Sequence, residues 1–310
     1  VKIVSVVFFL QDSEEVIYVD DERIKKHFIR EVEGIHDIHY HYDPRMVGVY
    51  YFPIQVRMWE GEYVELDVPE RAVMLGVVTE LAAHHPRARL YVNGVNQTPQ
   101  YLDTFIMGDV DGVGCIKWFM LPAGRKKVRL KVTGSYNPIM SRKQRMRGSG
   151  FCFGGFIVKN TFDMPTPVYT TVSWTHNDLN SRVIPKATDD ASGSLDIADL
   201  PHQCKLRFMK ISCDSSDVEV NLYDGWGEGP YGNLTYRFTL RELYDELEST
   251  RNREIQSYGA ILRWNENEKS VAFTLSISFM AGMRVKLRNL SSESEVNLLN
   301  MRCVADVRLC

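Results

Sequence analysis

The chain has 310 residues, 44% of them hydrophobic and 25% charged, and a formal net charge of -3. That length exceeds one ordinary β-sandwich and suits two domains, each large enough to bury a core. The near-neutral balance excludes a protein that clings to nucleic acid over its whole surface, so a basic function has to be local; no apolar run approaches the roughly 20 residues that span a bilayer, so membrane insertion is not expected.

In chain order, the opening VKIVSVVFFLQDSEE holds a strand-like stretch at 3–9 and lacks the layout of a signal peptide. Further strands are predicted at 49–58, 62–68, 88–95, 115–121, 127–133, 155–160 and 167–175. A second series follows at 204–213, 217–223, 259–264, 270–279, 283–289 and 296–309. Gly, Pro, Asn and Asp separate these runs, as antiparallel sheets require. Two helices are predicted. One spans 69–82, after Pro69 and before "HHP"; the other spans 239–250, where Thr239 and Glu242 form a capping box and Leu240, Leu243 and Leu247 mark one face.

"GGFIVKNTFDMPTPVYTTVSWTHND" (154–178) and "AGMRVKLRNLSSESEVNLLNMRCVAD" (281–306) read as two copies of one unit: a glycine-led alternating strand, an Asn turn and a second strand. The polar, turn-rich stretch 186–203 supplies a boundary near residue 190, giving domains 1–189 and 190–310.

Chemistry-bearing patterns are sparse. Cys115, Cys152, Cys204, Cys213, Cys303 and Cys310 form no CxxC pair and sit mostly in apolar runs, so buried free thiols and a reducing compartment are expected. His36, His39 and His41 lie close together without a fourth ligand, which reads as a surface or interface cluster titrating near neutral pH. No metal and no cofactor is expected. Sequons stand at Asn96, Asn233 and Asn289. There is no GxSxG elbow, no Cys/His pairing that stands out and no phosphate loop, so the chain is not expected to be an enzyme.

Two patterns point to binding. Arg125, Lys126, Lys127, Arg129 and Lys131 fall in or beside one strand, and Arg142, Lys143, Arg145 and Arg147 crowd the loop before "GSGFCFGG". Such cations can neutralise RNA phosphates, face acidic stretches of a neighbouring subunit, or simply be solvated. The loop YDGWGEGPYGN (223–233) sets Trp226 and Tyr231 beside Asp224 and Glu228, a layout able to stack a sugar ring and hold its hydroxyls.

With strands, glycines and turns laid out, each half resembles the jelly-roll capsid proteins of picorna-like positive-strand RNA viruses. "YGAILRWNENEKSVAFTLSISF" with "GMRVKLRNLSSESEVNLLNMRCVADV" looks like the family's closing strands, and "GDVDGVGCIKWFMLP" with the 154–178 unit looks like them again. Two such units in one chain resemble the large coat protein of comovirus-like plant viruses, although a basic amino-terminal arm is lacking. The resemblance implies an all-β fold of two tandem antiparallel eight-stranded jelly rolls. It also implies self-association into an icosahedral shell, a second coat protein as partner, non-specific electrostatic contacts with viral RNA, and residence in the virion and, during assembly, the host cytoplasm. The alternative is a carbohydrate-binding or carbohydrate-active double jelly roll, because one fold hosts many functions.

Overall fold

The computed structural model describes residues 14–28, 31–32, 35–36, 45–47, 50–52, 55–98, 101–108, 112–140, 150–187, 193–225, 233–249, 254–257, 260–265 and 270–310. Apart from two short ladders at 31–36 and 45–52, its strands form four antiparallel sheets stacked as two sandwiches.

The first sandwich is built from β1 (Glu14–Tyr18), β2 (Lys25–His27), β3 (Val56–Met58), β4 (Tyr63–Val68), β5 (Met74–Leu81), β6 (Ala88–Val92), β7 (Val95–Asn96), β8 (Val113–Met120), β9 (Lys126–Val132) and β10 (Phe151–Lys159). One sheet runs β1-β10-β5-β8, with β3 also paired to β10; the other runs β7-β6-β9-β4-β2. The second sandwich comprises β11 (Tyr169–Thr175), β12 (Val183–Ile184), β13 (Ser194–Leu200), β14 (Cys204–Cys213), β15 (Val218–Asp224), β16 (Asn233–Thr239), α1 (Leu240–Ser249), β17 (Glu254–Ser257), β18 (Ala260–Asn265), β19 (Ser270–Phe279), β20 (Met283–Asn289) and β21 (Val296–Arg308). Its sheets run β11-β21-β14-β19-β18-β17, with β12 also on β21, and β13-β20-β15-β16.

The connectivity repeats. In the first sandwich β3-β10-β5-β8 faces β4-β9-β6-β7; in the second β11-β21-β14-β19 faces β13-β20-β15-β16. Taken in chain order, strand for strand, these are the same eight strands joined the same way, which is the jelly-roll winding. The sheets hold more than the plain eight expected, because β1 and β2 add to the first sandwich and β12, β17 and β18 to the second.

Two expectations are corrected. The stretch 69–82 is no helix: Met74–Leu81 is a central strand between β10 and β8. Leu75 and Val77 point into the core of their own sandwich, while Val78 and Leu81 join the cluster that continues into the second, so the run is buried on both faces and shows no alternation. The strand Tyr169–Thr175, assigned to the first unit by the repeat, pairs along its length with β21, so the change of sandwich falls between residues 159 and 169 and not near 190. The predicted helix at 239–250 is present as α1, with the Glu242 carboxylate accepting from Thr239 N–H (2.8 Å) and Thr239 Oγ1 accepting from Glu242 N–H (3.0 Å).

The sandwiches are joined through the doubly covered sheet. Phe52, Phe105, Ile116 and Ile157 of the first share one apolar cluster with Trp174, Leu206, Met209 and Val285 of the second. Backbone bonds cross as well, since Ile116 N–H donates to Leu309 O at 2.7 Å. Among the described residues no helix is long and apolar enough to cross a membrane.

Candidate functional site

The strand β9 decides what the open face of the first sandwich offers. Val128, Leu130 and Val132 point into the core, so Lys127, Arg129 and Lys131 project outward. Register then sets their neighbours: Arg129 stands between Glu65 of β4 and Tyr91 of β6, and Lys131 between Tyr63 and Arg89. On the far side β2 adds Lys25 and His27 opposite Glu65 and Tyr63.

One carboxylate organises the cations. Glu65 receives Lys127 Nζ at 2.8 Å and Arg129 at 2.6 Å, with His27 Nε2 at 3.6 Å. Burial pushes the Glu65 carboxyl up, but the bonds from Lys127 and Arg129 outweigh it and leave the group below its usual range. Aromatic rings lie between the charges. Tyr63 stacks on His27 with centroids 4.2 Å apart and carries the Arg129 guanidinium 4.7 Å from its own centroid. Arg87 and Arg89 each lie 4.9 Å from the centre of the Tyr101 ring.

A cleft of about 370 Å³ opens between Glu65, Tyr91, Asn93, Gly94, Lys127, Arg129 and Lys131. Its rim is the two-residue turn Asn93-Gly94, with φ of 51° and 81°, the left-handed pair that a tight hairpin needs. The Asn93 side chain fastens that turn to β9, accepting from Lys127 N–H at 2.8 Å and donating to Arg125 O at 3.0 Å. Lys25, Arg89, Lys127, Arg129 and Lys131 outnumber Glu65 and Asp67, so this face attracts anions, and its tyrosines offer surfaces on which planar groups can stack.

The sequence-level candidates divide. Lys127 belongs to the face. Arg125 is exposed and pairs with Glu70 at 3.0 Å. Lys126 turns inward, 3% exposed, with Nζ donating to the carbonyl of Glu70 at 2.8 Å, so it is a structural tie. Arg142, Lys143, Arg145 and Arg147 lie outside the described residues, as do Trp226, Glu228, Tyr231, His39 and His41. Asp224 accepts from Met280 N–H (3.1 Å) and Ala281 N–H (3.0 Å), which commits both its oxygens to the turn between β19 and β20. All six cysteines are free thiols; five are buried and Cys213 is half-buried. Asn289, the acceptor of the third sequon, is fully buried, and its side chain accepts from Ser291 N–H and donates to Ser294 O.

Sequence reasoning missed Tyr63, Glu65, Arg89, Tyr91 and Tyr101, which become neighbours of the β9 cations only through strand register. It also missed the convergence of Glu80, His85 and Cys152 at one end of the other sheet.

No protein-family model matches the chain, and no curated protein matches it. Among solved structures, it is similar to a Paenibacillus xanthan lyase at 15% identity and TM-score 0.26, covering 86% of this chain but only 25% of the lyase. It is similar to tandem CBM51 modules of a family 98 glycoside hydrolase from Streptococcus pneumoniae at 10% identity and TM-score 0.24, over 82% of this chain and 85% of the modules. A triple jelly-roll protein of an archaeal virus matches at 10% identity and TM-score 0.27, over 83% of this chain and 58% of the other. Similarities of this size do not choose between a shell protein and a sugar-binding module.

Proposed function

We propose that the chain is a structural virion protein, a two-jelly-roll subunit that assembles with itself and with a second coat protein into an icosahedral shell around RNA and performs no catalysis. The observation that carries this reading is the pairing of two identically wound sandwiches, welded through a doubly covered sheet, with a basic open face on the first. Such a block is rigid and presents broad lateral surfaces, which a closed symmetric shell requires. The connector between the sandwiches exposes Phe162 and Met164, β11 begins with the exposed Tyr169, and Leu234 and Tyr236 are exposed on β16, at the end of its sheet among the described residues. Exposed apolar groups of this kind suit contacts with neighbouring subunits. The cations of the β9 face and of the loop 142–147 are the groups proposed to meet RNA phosphates or acidic neighbours.

Replacing Arg142, Lys143, Arg145 and Arg147 by glutamine tests the reading. Fewer or RNA-poor particles are expected. Normal particles with normal RNA content would count against a role for this loop. Glycan binding abolished by Trp226→Ala would instead favour the carbohydrate-binding alternative.

A further inference from the structure

Glu80, His85 and Cys152 meet at one end of the doubly covered sheet. Glu80 stands near the end of β5, His85 in the bend that follows, and Cys152 on β10, where the Thr79 hydroxyl donates to the Cys152 carbonyl at 2.6 Å and pins the two strands at this level. His85 is 1% and Cys152 2% exposed. Cys152 Sγ lies 3.6 Å from His85 Nε2, and Glu80 Oε1 lies 3.8 Å from the same nitrogen. The other ring nitrogen, Nδ1, is 3.1 Å from the Glu80 carbonyl. A proton on Nδ1, donated to that carbonyl, turns the Nε2 lone pair toward the thiol and the carboxylate, which is how metal-binding histidines are usually oriented.

We propose that this cluster is a three-ligand metal site for a zinc-class divalent ion. Zinc bonds nitrogen at about 2.0 Å and sulfur at about 2.3 Å, so two such donors at a tetrahedral angle lie about 3.6 Å apart, and the sulfur and Nε2 stand 3.6 Å apart already. The carboxylate oxygen has to close by roughly 0.5 Å toward the nitrogen and, since the three donor atoms span up to 4.8 Å, by up to about 1.3 Å toward the sulfur, a movement that falls to the side-chain torsions of the half-buried Glu80. Thiolate, imidazole and carboxylate together favour zinc over magnesium or calcium, which take oxygen donors. As the metal–sulfur bond forms, the thiol proton leaves to solvent, and the fourth position falls to water. Burial of the thiol argues against a nucleophile, because a substrate has no approach to it. The ion would clamp β5 and β10 to the bend that leads to Arg87, itself paired with Asp103 at 2.6 Å.

The full chain, stripped with chelator and then titrated with zinc alone, should take up one equivalent by elemental analysis and unfold at higher temperature. Cobalt in place of zinc should give a thiolate-to-cobalt charge-transfer band. Cys152→Ser should abolish that band, and Glu80→Gln, which keeps the side chain's shape, should weaken zinc binding at least tenfold. A folded wild-type chain that takes up no zinc, or a Cys152→Ser chain that keeps both the band and the zinc, would overturn the site. Should Cys152→Ser fail to fold, the wild-type cobalt spectrum and Glu80→Gln decide.

Discussion

In the first sandwich the sheet around β5 and β10 is covered on both faces, whereas the sheet around β9 has one face open. All nine residues of β10 are buried, while β9 alternates buried and outward positions along its length. The difference lies in what covers each sheet. Where a second sandwich replaces water, every side chain must be apolar or paired and the period of two disappears; where water remains, alternation returns together with room for charge. Substitutions should therefore act on packing in one sheet and on binding in the other.

The sharpest break is expected at Gly155 in the covered sheet. It sits at a bulge in β10 with φ of 143°, and a Cβ there would run into the Ile17 carbonyl. Gly155→Val should cost about 4 kcal/mol or more in urea unfolding or prevent folding outright; a change below about 1 kcal/mol would mean the close contact is not held in solution.

Next comes Asp199, where the second sandwich meets the first. Burial, with Asp103 and Asp196 adding to it against Arg284 and Arg87, raises its carboxyl from 3.8 to about 7. The folded state thus holds a proton that the unfolded chain has released, so this group's contribution is fully present below about pH 4 and is lost as pH rises toward 7. Asp199→Asn should come close to wild type at pH 4 and be more stable by roughly 4 kcal/mol at pH 8. Parallel stability curves for the two proteins across that range would refute the shift.

On the open sheet the effects shrink. Arg129→Gln leaves the buried carboxylate of Glu65 with one partner fewer and should cost about 1 kcal/mol, with the Glu65 titration moving upward by NMR. Lys131→Gln should change stability by less than about 0.5 kcal/mol while lowering the salt dependence of single-stranded RNA binding by about 0.7 in the logarithmic slope. An unchanged slope would place RNA elsewhere.

The same contrast explains what the sequence made legible. The antiparallel all-β class, α1 with its capping box and the outward cations of β9 are local, and local patterns expose them. The helix expected at 69–82 failed because β5, buried on both faces, carries no strand period. The repeat misled in its register: 154–178 covers β10 and β11, the last strand of one sandwich and the first of the next, whereas 281–306 covers β20 and nearly all of β21, the last two of one. A glycine followed by alternation marks a strand after a turn and says nothing about which strand it is. The strand equivalent to β20 is β9, and KKVRLKV (126–132) against MRVKLRN (283–289) carries that likeness plainly. Glu65, Tyr91, and the meeting of Cys152 with His85 across 67 positions depend on non-local pairing, which one sequence does not display.

Electron microscopy of the purified chain, alone and mixed with a candidate second coat protein, with absorbance at 260 and 280 nm taken on the same particles, tests the shell reading most directly. Closed, uniform shells that contain nucleic acid are the expected result. Dispersed monomers without nucleic acid under both conditions would contradict it.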